Sequence, residues 1–411
     1  MVFSPFCRRF PANTLAGPPA FSQGRKAGNH SVRREAEEME NIQMTRKKKV
    51  LLGMSGGVDS SAAALLLLEQ GCEVEGVTLR LRPDSAAEAG AGKPEAHGAS
   101  GDIRDAALVA RALGIPHSVL DLREEFQTRV IRNFAEEYAA GRTPNPCAVC
   151  NRHIKFGAML DYALNRGFDY IATGHYARIT REETEQGPGR WQLRSVPSSK
   201  DQSYMLYSLS QEQLSHTLLP LAAYTKEEIR RIAERAGLPV AKKPDSQEIC
   251  FIPDNDYIRF LSDYTGREVP EGDFVTAEGA VIGRHKGITH YTIGQRKGLG
   301  AAFGRPMYVT AILPEENRVV LGPEGSQYSA SLLAQDVNWI AFASPAPGQT
   351  LHCEARIRYH AAPAPCTVRV LPGGKLRAEF SVPQRSVTPG QAVVLYDGDL
   401  VLGGGVICRE E

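Results

Sequence analysis

The sequence lacks long hydrophobic runs and carries almost no excess charge. Its longest apolar run, residues 62–68, stops at Glu69, well short of the ~20 residues that a membrane-spanning helix needs. We therefore expect no membrane association and a cytoplasmic location. The formal net charge is only +1, so a nucleic acid would have to be bound by local basic patches rather than by the field of the whole molecule.

Cysteine is also scarce. The chain has eight cysteines in 411 residues, too few for the disulfide scaffold of a small secreted protein. Cys147 and Cys150 form a C-x-x-C pair, and the sequence has no second pair of this kind. Because a structural zinc site commonly uses two such pairs, the single pair favours redox, sulfur or other metal chemistry in a reducing compartment.

The length of the chain predicts two or three domains. Residues 1–47 are rich in Pro, Gly, Ser and Arg and lack hydrophobic periodicity. We expect a disordered extension or an upstream start there, rather than a transit peptide, because its prolines would interrupt an amphipathic helix. We place a catalytic domain at 48–255, a small β-rich central domain at 256–325 and a C-terminal domain at 326–411.

A glycine-rich turn follows the first predicted strand. Residues 50–61 read V-L-L-G-M-S-G-G-V-D-S-S, which predicts a buried strand at 50–52, a turn, and a helix over 62–68 that ends at Gly71. Glycines let backbone N–H groups point inward, and the following helix adds the positive end of its dipole. The turn therefore predicts a phosphate site, although the G-x-x-x-x-G-K-[ST] motif is absent.

Strands and helices then alternate along the chain. Strands are predicted at 73–81, 117–122 and 170–173, helices at 102–113, 124–140 and 154–165, and a loop or disordered insert at 83–101. This alternation predicts an α/β fold with a doubly wound parallel sheet. Because ligands bind at the carboxyl ends of strands in such sheets, we expect the turn at 55–60 and the Gly174-His175 pair to face one cleft.

Residues 141–155, G-R-T-P-N-P-C-A-V-C-N-R-H-I-K, combine the C-x-x-C pair with a local excess of positive charge. No Asp or Glu occurs from 139 to 160, whereas Arg142, Arg152 and Lys155 do. We expect this field to lower the pKa of the thiols and to attract phosphate.

A further cysteine follows the polar segment K-K-P-D-S-Q-E. Cys250 lies between Ile249 and Phe251, so it is either a reactive thiol or an ordinary buried cysteine. Between the two cysteine-containing stretches, K-D-Q-S-Y-M-L-Y at 200–207 suits either contact with RNA or the start of a helix.

The pattern changes in the last third of the chain. Residues 279–314 contain no Asp or Glu and mix basic with aromatic side chains, which suits contact with phosphates and unstacked bases or, alternatively, a solvated basic face. The basic residues are Arg284, Lys286, Arg296, Lys297 and Arg305, and the aromatic ones are Tyr291, Phe303 and Tyr308. Short alternating runs at 351–359, 366–371, 376–382 and 391–396, separated by glycine-containing turns, predict an antiparallel β-barrel.

Six stretches taken together resemble one family. They read G-M-S-G-G-V-D-S-S, G-R-T-P-N-P-C-A-V-C-N-R-H-I-K-F-G, A-T-G-H-Y-A-R, K-D-Q-S-Y-M-L, D-S-Q-E-I-C-F-I and Y-T-I-G-Q-R-K-G-L-G, in that order from Gly53 to Gly300. A weaker similarity continues to about residue 408. In this order the stretches resemble the tRNA-specific 2-thiouridylases, PP-loop ATP pyrophosphatases that place sulfur on the wobble uridine of tRNA.

The resemblance implies an ATP-dependent sulfur transfer. ATP, with Mg²⁺ on its phosphates, would bind at Gly53, Met54, Ser55, Gly56, Gly57, Val58, Asp59, Ser60, Leu79 and Gly174. The uridine 2-oxygen would attack the α-phosphate to give an adenylated base and pyrophosphate. Cys250 would receive sulfur as a persulfide from a sulfur carrier or a cysteine desulfurase. Cys150 would be the nucleophile that releases this sulfur and ends in a disulfide with Cys250.

The resemblance also implies contacts to tRNA, chiefly to its anticodon stem-loop. The target base would lie at Asn145, Pro146 and Cys147. Further contacts would come from His175, Lys200, Asp201, Gln202, Arg358, Tyr359 and Gln391. The C-terminal barrel would hold the tRNA body while the base is flipped out.

Two departures from the family pattern leave alternatives open. Cys147 stands where many relatives have Asp, so Cys147, Cys150 and Cys250 could instead hold three corners of a [4Fe–4S] cluster that carries sulfide. Residues 98–102 read G-A-S-G-D in place of a common C-C-S-x-x-D segment, a change expected to be peripheral to the chemistry. Outside the family, a PP-loop small-molecule ligase would use the same turn but would not need Cys150 and Cys250. A non-catalytic RNA-binding protein would not need the intact Ser55, Asp59 and Ser60.

Overall fold

The computed structural model describes residues 46–82, 99–182, 189–244 and 249–409. The chain divides into two units, Met1–Lys47 and Lys48–Glu411, and the fold below is that of the second. The predicted extension and most of the predicted insert at 83–101 lie outside the described residues. Residues 99–101, expected in the insert, instead begin a helix.

The strands of the described residues are numbered in chain order. They are β1 (Lys49–Gly53), β2 (Glu73–Arg80), β3 (His117–Asp121), β4 (Tyr170–Ala172), β5 (Arg178–Arg181), β6 (Trp191–Arg194), β7 (Thr217–Leu218), β8 (Gly272–Val275), β9 (Val281–His285), β10 (Met307–Leu313), β11 (Arg318–Pro323), β12 (Tyr328–Trp339), β13 (Thr350–Arg356), β14 (Ala364–Val370), β15 (Leu376–Arg385), β16 (Ala392–Asp397) and β17 (Leu400–Cys408).

The helices are numbered in the same way. They are α1 (Val58–Glu69), α2 (Ala99–Leu113), α3 (Arg123–Phe126, continued by the π-helical Gln127–Ile131 and by Arg132–Ala139), α4 (Pro146–Cys150, continued by the π-helical Asn151–Ala158 and by Met159–Asn165), α5 (Gln211–Ser215), α6 (Lys226–Arg235) and α7 (Tyr257–Thr265). Single 3₁₀ turns occur at Ser203–Leu206, Ile288–His290, Pro314–Glu316 and Pro372–Gly374.

The first sheet is parallel and has the strand order β3-β2-β1-β4-β7. Successive side chains of β1 point to opposite faces, so Val50 and Leu52 pack with α1, α2 and α6, whereas Leu51 packs with α4. Because both faces are covered by helices, all three residues are fully buried. The doubly wound α/β fold predicted from the sequence is therefore confirmed.

Two further helices begin several residues earlier than predicted. Helix α1 begins at Val58, so Asp59, Ser60 and Ser61 lie in its first turn rather than in the loop. Helix α4 begins at Pro146 rather than at residue 154, because the Asn145 side chain caps it and proline is well suited to a first helical position. The C-x-x-C pair is therefore helical.

A four-stranded sheet with the order β10-β11-β8-β9 follows. Its core contains Phe274 and Val309 together with Tyr291, and Tyr291 and Tyr308 are only 2% and 3% exposed. The Tyr291 ring cannot stack on a base from this position, so the sequence interpretation is wrong for Tyr291, whereas Tyr308 lines a surface groove. The hydrophobic effect favours burying the rings, and the basic residues around them, such as Arg296 and Lys297, remain exposed.

The C-terminal strands form a closed antiparallel barrel, as predicted. The order is β12-β15-β14-β13-β16-β17, and β12 also pairs with β17 to close it. The hairpin of β5 and β6 extends this sheet at one point, where Arg194 pairs with Leu400. This hairpin, which links the first domain to the barrel, was not predicted from the sequence.

Two barrel cysteines face each other across β13 and β14. Cys353 and Cys366 are register partners, and their Sγ atoms lie 3.8 Å apart. We expect oxidised glutathione to convert the two thiols into a disulfide, releasing two equivalents of reduced glutathione, and to raise the free energy of unfolding by ~1–3 kcal/mol. Peptide mapping after oxidation would detect the cross-link, and Cys353→Ser should abolish both effects. Recovery of both thiols in alkylatable form after oxidation would contradict this prediction.

None of the helices in the described ranges combines the length and the apolar character that crossing a bilayer requires.

Candidate active site

The turn between β1 and α1 is held by hydrogen bonds from its own serines. The Ser55 N–H donates to Ser60 Oγ at 3.2 Å, and the hydroxyls of Ser60 and Ser61 donate to the Gly57 carbonyl oxygen at 3.2 and 2.8 Å. Gly56 has a φ of +68°, and a Cβ at this position would lie 2.5 Å from the Asp102 carbonyl oxygen. The position therefore requires glycine, and the chain itself fixes the shape of the turn.

Asp59, in the first turn of α1, is bound by a buried cation. Lys226 Nζ lies 2.8 and 2.7 Å from the two Asp59 carboxylate oxygens, and the Tyr176 hydroxyl donates to Oδ1 at 2.7 Å. The Lys226 side chain is only 8% exposed. This pair neutralises the aspartate and fixes its position beside the phosphate turn.

Sequence reasoning missed Lys226, although a signal was present. Thr225 and Glu228 form a capping box, which marks Lys226 as the first residue of α6. A cation at a helix N-terminus is unfavourable with respect to the helix dipole. A buried lysine at such a position therefore indicates a specific anionic partner, which here is Asp59.

A second lysine connects the phosphate turn with the segment that leads to Cys250. Lys243 Nζ lies 2.8 Å from Asp105 Oδ2, 3.0 Å from Asp102 Oδ1 and 3.2 Å from the Gly56 carbonyl oxygen. Seven positions further along the chain is Cys250. Lys243 belongs to the basic K-K-P-D-S-Q-E segment before Cys250, so this segment is attached to the glycine turn.

Met54 and Leu79 lie where β1 and β2 run side by side. The Met54 N–H donates to the Val77 carbonyl oxygen at 2.8 Å, and Thr78 Oγ1 donates to the Met54 carbonyl oxygen at 2.9 Å. These bonds join the start of the turn to β2, on which Leu79 is the next residue.

Gly174, which follows β4, packs directly against the turn. A Cβ at Gly174 would lie 2.9 Å from Ser60 N and 3.0 Å from the Asp59 carbonyl carbon. The next residue, His175, is buried, and its Nδ1 is 2.7 Å from Thr173 Oγ1. Burial, assisted by Lys155, holds the pKa of His175 well below its ordinary value, so its ring is neutral. The two turns predicted to face one cleft are therefore in contact.

Gly174→Ala is expected to displace the phosphate turn and weaken ATP binding by about 10- to 100-fold, because the added methyl group must push Ser60 or Asp59 aside. Isothermal titration with ATP-Mg²⁺ measures this effect. The matched control is Gly283→Ala, where the new Cβ would meet Phe303 at an ordinary 3.4 Å. Unchanged affinity in Gly174→Ala would contradict the packing argument.

The three cysteines singled out in the sequence share one neighbourhood. Cys150 is buried on α4, in an apolar cluster that also contains Phe251, the residue after Cys250. Cys147 and Cys250 are exposed. Cys147 and Cys250 both contribute to the pKa of Cys150, so the three thiols are within electrostatic reach of one another.

The prediction that the basic residues of 141–155 lower the thiol pKa is wrong for Cys150. Burial raises the pKa of Cys150 to about 12, and the opposing effect of Lys155 is smaller. Cys250 has an exposed surface, but protein surrounds it closely enough that desolvation also raises its pKa, against the effects of Lys155 and Arg82. Loss of hydration penalises a thiolate more than these cations stabilise it.

Alkylation should reveal this order of reactivity. With a pKa of about 12, roughly one Cys150 in 10⁴ is thiolate at pH 8. We expect iodoacetamide to label the exposed Cys147 well before Cys150, and the Cys150 rate to rise about tenfold per pH unit. Peptide mass spectrometry at timed intervals follows both residues. Faster labelling of Cys150 than of Cys147 at pH 8 would contradict the burial argument.

The donor atoms of the site do not favour a resident metal cluster. Across the described ranges, no three His, Cys, Asp or Glu side chains are arranged to hold a metal ion. Cys150 is buried in an apolar cluster, whereas Cys147 and Cys250 are exposed. The turn serines offer hydroxyl oxygens of the kind that Mg²⁺ uses together with nucleotide phosphates, whereas both Asp59 oxygens are bound by Lys226.

The residues predicted to meet the target base lie at the start of α4. Asn145 Oδ1 accepts from the Ala148 N–H at 3.2 Å, and its Nδ2 lies 3.4 Å from Met205 Sδ. Pro146 is the first helical residue and is buried, while Cys147 is exposed. Burial, then Asp201, and to a lesser extent Cys147 raise the pKa of Tyr359, and the Tyr359 ring lies 6.1 Å from that of Tyr204.

Several of the other predicted tRNA contacts already have partners within the protein. Asp201 accepts from Ser203 Oγ at 2.8 Å and from Val196 N at 3.0 Å. Gln202 Oε1 accepts from the Tyr176 N–H at 3.0 Å. Arg358 and Gln391 likewise bind other parts of the chain, whereas Lys200 is partly exposed. Their roles as tRNA contacts stay predictions.

Comparisons with known proteins cover most of the chain. The model of the tRNA methyl transferase HUP domain matches residues 48–254. The tRNA methyl transferase PRC-barrel domain matches 258–323, and the aminomethyltransferase beta-barrel domain matches 329–407. Among solved structures, a 4-thiouridine synthetase–RNA complex with bound ATP aligns at 18% identity over 53% of this chain and 50% of that chain, with a TM-score of 0.31, which is too low to carry an argument.

Two relatives are much more similar. The tRNA-specific 2-thiouridylase MnmA of Acetivibrio thermocellus is 51% identical over 362 residues, which is 88% of this chain and 99% of the relative. The protein of the same name from Heliobacterium modesticaldum is 52% identical over 367 residues, 88% of this chain and 93% of the relative. The chain therefore belongs to the family of tRNA-specific 2-thiouridylases.

Proposed function

We propose that this protein uses ATP to convert the wobble uridine of tRNA to 2-thiouridine, with sulfur supplied as a cysteine persulfide. One observation carries the proposal: the phosphate turn and the cysteines are joined by a short chain of neighbours. Gly174 packs on Ser60, His175 follows it, and the His175 ring lies 5.6 Å from the ring of Phe156 on α4, the helix that carries Cys150. Phe251, the residue after Cys250, packs in the same apolar cluster as Cys150. A nucleotide-activated base and a sulfur-bearing thiol can thus meet in one cleft.

The first step is adenylation of the base. Backbone N–H groups of the turn at Gly53–Ser60, with Leu79 and Gly174 beside it, would bind ATP and stabilise negative charge developing on the phosphates. The hydroxyl oxygens of the turn serines would help to hold Mg²⁺, which would supply further charge neutralisation on the phosphates. Attack of the uridine 2-oxygen on the α-phosphate forms an O–P bond and breaks the bond to pyrophosphate, which leaves.

The second step transfers sulfur. Cys250 carries the outer sulfur as Cys–S–SH. Cys150, once deprotonated, attacks the inner sulfur and forms a disulfide with Cys250, releasing hydrosulfide. Hydrosulfide attacks C2 of the adenylated uridine and displaces AMP. The sulfurs of Cys150 and Cys250 thus end as a disulfide, and the outer sulfur of the persulfide enters the base. An external thiol must then reduce the disulfide before the next cycle.

The partner would be the anticodon stem-loop of tRNA, approached by basic surface outside the first domain. A groove of about 580 Å³ in the central sheet region is lined by Gln295, Arg296, Lys297, Tyr308, Glu324 and Arg385. Its cations would bind phosphates and position the RNA without reading its sequence. The sulfur would come from a sulfur carrier or a cysteine desulfurase, and such a reaction on tRNA is expected in the cytoplasm.

The test uses anaerobically purified protein, unmodified tRNA, ATP-Mg²⁺ and a persulfide donor, with and without an iron chelator. Mass spectrometry of the digested tRNA should detect 2-thiouridine, and chelation should leave its amount unchanged. Loss of the product on chelation would favour the [4Fe–4S] route through Cys147, Cys150 and Cys250. AMP formation without tRNA, and no thiouridine under any condition, would favour a small-molecule ligase.

A further inference from the structure

The segment around Asn145, residues 143–146, can form few backbone hydrogen bonds within itself. Pro144 and Pro146 have no N–H groups, so the backbone from Thr143 to Pro146 cannot form a regular hydrogen-bond ladder. Its partners come from the barrel instead. The Thr143 N–H donates to the Pro389 carbonyl oxygen at 2.9 Å. The carbonyl oxygens of Thr143 and Pro144 accept from Gln391 Nε2 at 2.9 and 3.3 Å.

The barrel turn that supplies these bonds is packed tightly against the segment. Gly390 has a φ of +91°, and a Cβ there would lie 2.8 Å from the Thr143 carbonyl oxygen. The turn is fixed from behind by Arg358, whose Nη2 donates to Thr388 Oγ1 at 2.7 Å and to the Ser386 carbonyl oxygen at 3.1 Å. The turn and its support are therefore built to hold one position of the segment.

We propose that Gln391 is a positioning residue that holds the target-base segment from the barrel, with Arg358 supporting its turn. An amide nitrogen has two hydrogens, and both are directed at the carbonyl oxygens of Thr143 and Pro144. Through these two bonds, Gln391 acts on catalysis by way of the segment. The assignment of this segment to the target base rests on the proposed function.

A displacement of this segment would also move the reacting groups. Asn145 caps α4 and Pro146 is its first residue, so movement at Thr143 shifts the helix end that carries Cys147 and Cys150. Misplacement of about 1 Å can cost roughly 100-fold in rate. The expected signature is a lower kcat at saturating tRNA with little change in the KM for tRNA.

Gln391→Glu tests this role because it keeps the shape of the side chain but places a carboxylate against two carbonyl oxygens. We expect amide hydrogen exchange at residues 141–149 of the free protein to accelerate about tenfold or more, and kcat for thiolation to fall about 10- to 100-fold. Gln391→Ala serves as the second variant if the carboxylate unfolds the turn. Gln335→Glu, an exposed glutamine on β12, is the matched control and should behave as the unsubstituted protein.

The exchange measurement needs no substrate, so it separates this role from the proposed function. Unchanged exchange at 141–149 in both Gln391 variants would overturn the positioning role, as would a tenfold weaker affinity for tRNA with unchanged kcat. Failure of the unsubstituted protein to form 2-thiouridine would instead overturn the proposed function.

Discussion

Cys250→Ser is expected to abolish 2-thiouridine formation, by at least about 10³-fold, while tRNA-dependent release of pyrophosphate from ATP continues. A serine hydroxyl cannot carry a persulfide, so sulfur has no acceptor on the protein. In the proposed mechanism, adenylation takes place at the glycine turn and does not involve Cys250. Parallel assays of pyrophosphate and of thiouridine therefore separate the two steps.

Two further variants separate the acceptance of sulfur from its transfer and provide a control. Cys150→Ser should still accept labelled sulfur on Cys250 but should not pass it to tRNA, because the attacking thiol is missing. Cys72→Ser is the matched control, since Cys72 packs beside α1 and the parallel sheet and should leave both steps near their normal rates. Full thiolation by Cys250→Ser would contradict the sulfur route.

Asp59→Asn is expected to have the second large effect, on both stability and activity. The amide keeps the volume of the carboxylate but leaves the buried Lys226 ammonium without its counter-charge. Breaking a buried pair costs about 3–5 kcal/mol. Since the Asp59 side chain is 33% exposed, a loss of ~1–3 kcal/mol is expected. Asp59 lies in the first turn of α1, directly after the phosphate turn. Loss of its ion pair should therefore shift this turn and lower the rate of thiolation by about 100-fold or more.

Urea unfolding followed by circular dichroism measures the stability effect. Lys226→Met combined with Asp59→Asn should recover part of the lost stability, because the uncompensated cation is removed, but should not recover activity. Asp263→Asn, an exposed aspartate on α7, is the control. Equal stability of Asp59→Asn and the unsubstituted protein would contradict the assigned ion pair.

Local signals were enough to predict the parallel sheet and the barrel. Three consecutive buried residues at 50–52, helices ended by glycine, and alternating runs separated by glycine-containing turns each act over a few residues. The hairpin of β5 and β6 was missed because its attachment to the barrel depends on the pairing of Arg194 with Leu400, some 200 residues apart. Sequence spacing does not report such a contact.

The electrostatics of the site were harder to predict than its location. Basic residues around Cys150 are visible in the sequence, but the burial that outweighs them is set by Phe126 and Phe134 on α3 and by Phe251, more than a hundred residues further along the chain. Likewise, Tyr291 stands among basic residues as on an RNA surface, yet it packs into the central core. Charge is a local property of sequence, whereas burial is a property of the fold.

The most direct test of the proposed sulfur transfer follows a single turnover. Cys250 would be loaded with ³⁴S-labelled persulfide, excess donor removed, and ATP-Mg²⁺ added with unmodified tRNA. We expect one ³⁴S atom in 2-thiouridine for each AMP released, together with a Cys150–Cys250 disulfide in the protein. Release of AMP without label in the tRNA, or labelled thiouridine without ATP, would contradict the proposed transfer.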